Sequence, residues 1–144
     1  MDRELRRLTA DDYHDIIRVW ADAGLPYRPQ GRDHRDRIAI EIAREDTAFF
    51  GLFENDRMLA VGLATFDGRK GWINRVAVDP DRRGEGFGGE IIKALEQFLR
   101  ARGADIIAAL IEDVNSPSIS LFQKHGYTTM KEVLYFSKRD SWDV

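Results

Sequence analysis

The 144-residue chain contains no cysteine. That excludes disulfides, thiolate metal sites and a cysteine nucleophile, and it fits a reducing compartment. No apolar run approaches the roughly 20 residues that cross a bilayer. The start, Met1-Asp2-Arg3-Glu4, has none of the apolar stretch of a signal peptide behind it. A basic excess is also missing: 22 Lys and Arg stand against 25 Asp and Glu, for a formal net charge of −3. Proteins that grip nucleic acid carry a basic patch or stripe, so nucleic acid is not an expected partner. Any polyanionic ligand must be held by a local device, because the global field repels it weakly. There is no repeat, no low-complexity tract and no Pro/Gly/Ser-rich linker. With 43% hydrophobic residues, a core forms without metal or disulfide support. The expectation is a cytoplasmic protein with residues 1–144 in one domain, no membrane association and no metal.

Glu4–Leu8 reads as a short strand, with Thr9 or Asp11 as the cap of the next helix. Tyr13, Ile16, Ile17 and Trp20 fall at helical spacing, and Gly24 and Pro26 end that helix. A second helical stretch opens at Gly31–Asp33 and carries Ile38 and Ile42 on one side, with Ile40 off the stripe. Thr47–Phe53 and Met58–Phe66 read as strands around an Asn55-Asp56 turn. Asp67-Gly68 signals a hairpin into Trp72–Val78. Gly88–Ala101 is a helix with Ile91, Ile92, Leu95, Phe98 and Leu99 on one face. Ile106–Ile111 is nearly continuously apolar, as in a strand buried on both faces. Ser116–His125 is a short helix with Pro117 in its first turn. Tyr127 onward, through Val133 to Ser137, reads as a final hairpin. The fold class expected is α/β (α+β): a mixed, mostly antiparallel sheet flanked by about four helices.

The most informative stretch is Val76-Ala77-Val78-Asp79-Pro80-Asp81-Arg82-Arg83-Gly84-Glu85-Gly86-Phe87-Gly88-Gly89. A strand enters a loop with four glycines and a helix begins at its end. Glycine admits close approach of a ligand and positive φ. The helix start offers unpaired N–H groups and the positive end of a dipole, which together favour phosphate. A nucleoside-triphosphate loop would end in Gly-Lys-Ser/Thr, where this chain has Gly88-Gly89-Glu90. Gly84, Gly86 and Gly89 match a dinucleotide loop in letters. That loop belongs to a repeating βαβ pattern, and an antiparallel meander precedes it here.

Arg83-Gly84-Glu85-Gly86-Phe87-Gly88 resembles the pyrophosphate loop of the GNAT superfamily of N-acetyltransferases, Arg/Gln-x-x-Gly-x-Gly/Ala. The run from Asn115 to Tyr127 resembles that superfamily's second landmark, an Asn followed by a short helix ending in aromatic-charged-Lys-x-Gly-Phe/Tyr. One helix and one strand separate the two, as in the family. The resemblance implies acetyl-CoA as co-substrate and acetyl transfer to an amine: a small molecule, an amino acid, or a protein Nα or lysine amine. It implies that the backbone of Arg83, Gly84, Glu85, Gly86, Phe87, Gly88 and Gly89 holds the pyrophosphate, helped by the side chains of Arg82 and Arg83. Val76, Ala77 and Val78 would pair with the pantetheine arm, with a backbone N–H near Ala77 or Val78 at the thioester carbonyl. Asn115 would hydrogen-bond the arm, Phe122 would line it, and Lys124 would reach a phosphate. Arg82, Arg83 and Lys124 also suit a solvated surface, and Asn115 a helix cap.

An alkyl amine, with a pKa of about 10.4, must lose a proton before it attacks. The departing thiolate benefits from a general acid, by about 10² to 10⁴. Many members of the superfamily use a Tyr where this chain has Phe122, which has no proton to give. Tyr127 and Tyr135 are the candidates to replace it, with Ser118 and Ser120 further possibilities. Tyr127 also suits core packing. Glu112, at the end of the fifth strand, is the candidate base or an exposed carboxylate. His125 suits a helix C-terminus, where it meets the dipole. Acceptor recognition by the family's first two helices and last hairpin points to Tyr27, Arg28 and the Arg32, Arg35 and Arg37 run, which equally suits a solvated helix face, with Trp72 lining the acceptor channel or packing. Exposed strands of this fold often pair across a homodimer. The missing hydroxyl keeps a second function open, a non-catalytic acyl-CoA-binding sensor.

Overall fold

The computed structural model describes residues 2–142. Its order is β1 (Arg3–Arg7), α1 (Tyr13–Asp22), α2 (Arg35–Ile42), β2 (Thr47–Glu54), β3 (Arg57–Phe66), β4 (Lys70–Val78), α3 (Phe87–Ala101), β5 (Ile106–Ala108) and α4 (Ser116–Lys124). The five strands form one sheet in the order β1-β2-β3-β4-β5. All neighbours are antiparallel except β4 and β5. This is the mixed, mostly antiparallel sheet with four helices that the sequence predicts.

Local chemistry explains the turns. Asn55 and Asp56 both take positive φ, 51° and 68°, the two-residue hairpin geometry that matches strand twist. Asp67 Oδ1 accepts from the N–H groups of Arg69 and Lys70, and its Oδ2 accepts from Trp72 Nε1. Thr9 caps a short 3-10 turn, Ala10–Asp12, in a reciprocal box with Asp12. Asp12 also takes two bonds from the Arg6 guanidinium, at 3.0 and 2.9 Å.

The sheet carries a core on each face. Ile91, Ile92, Leu95 and Leu99 of α3 pack on Leu59, Ala60 and Ile73. Ile16, Val19 and Trp20 of α1 and Ile38 of α2 pack on Phe49, Met58 and Val61. Each fully buried aliphatic side chain contributes about 1.5–3 kcal/mol. The period-of-3.6 stripes predict these faces, and Ile40, off the stripe, is exposed.

Two expectations are corrected. The apolar run 106–111 is not a strand buried on both faces. Only Ile106–Ala108 pairs, as the sheet's edge, and Ile106 and Leu110 are more than half exposed. No strand lies beyond it among the described residues, so its outer side has nothing to pack against. Residues 128–142 form no hairpin. Val133-Leu134-Tyr135-Phe136 is apolar without alternation, so neither face of a ribbon would be defined, and all four side chains are exposed.

Candidate active site

The site arises where β4 and β5 part. Their register ends at the pair Trp72–Ala108, while β4 continues to Val78. From Ile73 to Val78, β4 is paired only with β3, so its other backbone edge faces a groove. Within this stretch β4 bulges. Asn74 pairs with Leu63 and Ala77 with Val61, so Arg75 and Val76 oppose Gly62 alone. Arg75 takes φ +58, a left-handed conformation that costs a non-glycine residue roughly 1–2 kcal/mol. Its guanidinium fastens the bulge to the segment between α1 and α2. It donates to the Pro26 carbonyl, pairs with Asp33 Oδ2 at 3.5 Å and lies over the Trp20 ring, 4.8 Å from its centroid. Asp33 is buried and also accepts from the Arg28 N–H at 2.7 Å.

The groove, of about 270 Å³, is lined by Val76, Ala77, Val78, Arg82, Arg83, Gly84, Gly86, Phe87, Gly88, Gly89, Asn115, Leu121 and Lys124, among others. The four glycines divide into two pairs. Gly84 and Gly86 both have φ +85, with open space where a Cβ would stand; Gly86 is the N-cap of α3. Gly88 and Gly89 serve helix contact. A Cβ on Gly88 would come within 2.8 Å of Leu121 Cδ2, and one on Gly89 within 2.6 Å of His125 Nε2. Only the first pair shapes the loop, and the second lets α4 lie against the start of α3.

The two arginines also separate. Arg82 is held by Glu54 at 3.0 Å and by Glu85 at 2.6 Å, so both edges of its guanidinium are engaged by carboxylates. The side chain of Arg83 makes no hydrogen bond or ion pair among the described residues and lines both this groove and the neighbouring cleft. Asn115 caps α4, its Oδ1 accepting from the Ser118 N–H at 3.3 Å, and its amide donors are left for a ligand. An unpaired strand edge, positive-φ glycines at a helix start and a guanidinium without a carboxylate partner suit a pantetheine arm and a pyrophosphate.

A larger cleft of about 940 Å³ adjoins the groove. The two share Ala23, Leu25, Val76, Arg83, Asn115, Pro117 and Ser118. The cleft also collects Trp20, Arg28, Arg32, Glu41, Asn74, Arg75, Glu112, Phe122 and Tyr135. Of these the sequence points to Arg28, Arg32, Glu112 and Tyr135; Phe122, expected along the pantetheine arm, lines this cleft and not the groove. The sequence misses Trp20, Glu41, Asn74 and Arg75, whose convergence depends on the β3–β4 register. The one available signal is the charge of Glu41, one turn beyond Ile38. Trp20 is buried, and its indole N–H has no partner among the described residues.

Several expected residues line neither cavity, Arg35, Arg37 and Glu85 among them. Trp72 stands beyond the point of divergence and donates to Asp67, so it lines neither cavity. Tyr27 packs on the α1–α2 core. Tyr127 donates to Glu96 Oε2 at 2.6 Å and meets Phe122 edge to face at 5.0 Å. Burial and the Glu96 bond push its hydroxyl well above the usual phenol range, which ill suits a proton donor to a thiolate. Phe122 itself is 6% exposed. Among the described residues no three His, Asp or Glu side chains are grouped to hold a metal ion, and no helix is long and apolar enough to cross a membrane.

A curated acetyltransferase of Yersinia pestis (strain Pestoides F) is 27% identical over 131 residues, covering 91% of this chain and 92% of its own. Two solved structures share the fold. The PaiA N-acetyltransferase from Thermoplasma acidophilum, in complex with coenzyme A, has a TM-score of 0.79 at 17% identity and covers 90% of this chain and 92% of its own. AAC(6')-Iy, in complex with the bisubstrate analogue CoA-S-monomethyl-acetylneamine, has a TM-score of 0.80 at 15% identity, covering 96% and 99%. Residues 5–127 match the model of the acetyltransferase (GNAT) family, and the chain belongs to that family.

Proposed function

We propose that the protein is an N-acetyltransferase that moves an acetyl group from acetyl-CoA to a primary amine by direct attack, with both substrates bound together. The observation that carries this reading is the shared wall of groove and cleft. Val76, Arg83 and Asn115 line both, so a thioester laid along the open edge of β4 presents its carbonyl to whatever occupies the cleft. The relatives support it. One neighbour binds coenzyme A, and another binds an analogue that joins coenzyme A to an acetylneamine.

In this reading the backbone of Val76, Ala77 and Val78 holds the pantetheine arm, and an N–H near Ala77 or Val78 polarises the carbonyl. The N–H groups of the Gly84–Gly89 loop and the Arg83 side chain hold the pyrophosphate, with Lys124 on the same wall. The amine nitrogen bonds the carbonyl carbon, the C–S bond breaks, and the thiolate takes a proton. Tyr135 and Phe122 both line the cleft, and Tyr135 is the proposed donor where Phe122 has no hydroxyl. Exposed Leu134 and Phe136 and the open edge of β5 support association into a homodimer.

The test is release of coenzyme A from acetyl-CoA with four acceptors: spermidine, L-lysine, a peptide with a free N-terminus, and kanamycin. Release with one of them, and the matching N-acetyl product by mass, is the expected result. Acetyl-CoA binding without release on any acceptor would favour the sensor, in which the groove persists without turnover.

A further inference from the structure

We propose that Glu41, on α2, is the group that takes the proton from the acceptor amine. The inference rests on the acetyl-transfer reading above and assigns its missing base.

Two carboxylates line the acceptor cleft without a hydrogen bond or ion pair among the described residues, Glu41 and Glu112. They differ in setting. Glu112 is exposed beyond the end of β5. Glu41 stands one turn after Ile38, on the same face of α2. It lines the same cleft as Arg75, on the bulge of β4, and the Arg75 charge reaches it. Val76, which follows Arg75, lines both that cleft and the groove, so the cleft that holds Glu41 opens on the stretch of β4 along which the thioester would lie. The other carboxylate nearby, Asp33, is committed to the Arg28 N–H, Arg32 and Arg75.

The surroundings make Glu41 a stronger base than an exposed glutamate. Burial raises its carboxyl first and the charge of Asp33 adds to this, while Arg44 and Arg75 pull the other way. Arg28, Arg32 and Glu112 line the same cleft. The proton step balances simply. The ammonium of the acceptor gives one proton to the Glu41 carboxylate, leaving a neutral amine and a carboxylic acid. The amine then forms the C–N bond as the C–S bond breaks. Tyr135 gives its proton to the departing thiolate and regains one of the two protons left on nitrogen, and the Glu41 proton returns to solvent.

The pKa direction also fixes a stability signature. A carboxyl whose folded value is raised binds more protons in the folded chain than in the unfolded one. It therefore costs stability above the unfolded glutamate value. Glu41→Gln removes that cost and keeps the shape, so the variant is expected to melt higher than wild type at pH 7 while turning over more slowly.

The experiment measures kcat and acceptor KM for wild type, Glu41→Gln, Glu41→Asp and Glu112→Gln, with whichever of the four acceptors turns over, from pH 7 to 10. Expected are a loss in kcat of about 10²-fold or more for Glu41→Gln at pH 7, little change in KM, partial recovery in Glu41→Asp, and in Glu112→Gln an effect chiefly on acceptor KM. The deficit should shrink as pH approaches the amine's own pKa of about 10.4, because solvent then supplies the neutral amine. A pH-independent deficit, a change confined to KM, or a loss that follows Glu112 overturns the assignment. A carboxyl ¹³C titration of wild type, with Glu41→Gln to identify the resonance, stands apart from turnover. A raised midpoint supports the assignment, and an ordinary glutamate midpoint overturns it even if no acceptor reacts. Failure of wild type on all four acceptors, with intact acetyl-CoA binding, counts against the transfer reading itself.

Discussion

The proposed coenzyme groove and the proposed acceptor cleft share a wall but are built on different principles. The groove is made mostly of backbone: an unpaired strand edge, two glycines at φ +85 and the first N–H groups of α3. The cleft is made of side chains brought from α1, α2, the segment between them, β4 and the region after β5. A backbone site is specified by a short run of consecutive residues. A side-chain site is specified by register and by which helix face turns inward. One region is thus suited to a constant ligand and the other to a ligand that varies between relatives.

The sharpest way to break this contrast is to attack the loop conformation. Gly86→Asp places a side chain at φ +85 and a negative charge at a phosphate site. It is expected to weaken acetyl-CoA about 100-fold, roughly 2.7 kcal/mol, in a calorimetric titration; unchanged affinity would mean that the loop does not hold the pyrophosphate. Next comes the division between the arginines. Arg83→Ala should weaken acetyl-CoA about tenfold, while Arg82→Ala should mainly lower Tm, because it strands Glu54 and Glu85. The reverse ranking would show Arg82 leaving its carboxylates for the ligand.

On the cleft side, Arg75→Ala should raise acceptor KM severalfold and leave acetyl-CoA affinity within about twofold, since its partners are Asp33, Pro26 and Trp20. Arg75→Gly loses the same contacts but accepts the left-handed backbone, so it should be more stable than Arg75→Ala by about 1 kcal/mol, read from urea midpoints. Equal stabilities would mean that the bulge relaxes once the guanidinium is gone. The smallest effect lies outside both regions. Hydrogen bonds from Lys70 and Arg69 N–H and Trp72 Nε1 hold Asp67 down to about 2. Its contribution to the hairpin should be whole above the usual aspartate value of about 3.9 and fade as pH falls through about 2. Asp67→Asn should flatten that limb in an acid titration tracked by Trp72 resonances.

The same division governs how far the sequence can be read. The glycine loop, α3 and α4 are contiguous patterns with their own punctuation, and each lies within a residue or two of its expected place. Most of the residues expected along the groove line it, while Glu85 and Phe122 do not. Trp20, Glu41 and the adjacent pair Asn74-Arg75 lie on three different elements, α1, α2 and β4. Their meeting depends on a one-residue bulge that no local pattern announces. Trp72 fails for a related reason: it belongs to the right strand but to the wrong side of the point where β4 and β5 part. The hairpin expected after Tyr127 rests on β-forming residues alone, and such propensity names no partner strand.

The open edge of β4 has one more consequence. Along Ile73–Val78, alternate N–H and C=O groups point away from β3, so they are a pairing surface recessed between the divergent β5 and α4. Recession shields it from the edges of other molecules, a hazard that exposed edges meet with charge or proline. It leaves the same amides open to water. In hydrogen exchange, then, the middle of the sheet should contain a fast-exchanging stripe in the ligand-free chain, amid slow core neighbours. A bound pantetheine arm should slow it residue by residue, acting as a sixth strand that comes and goes with each turnover.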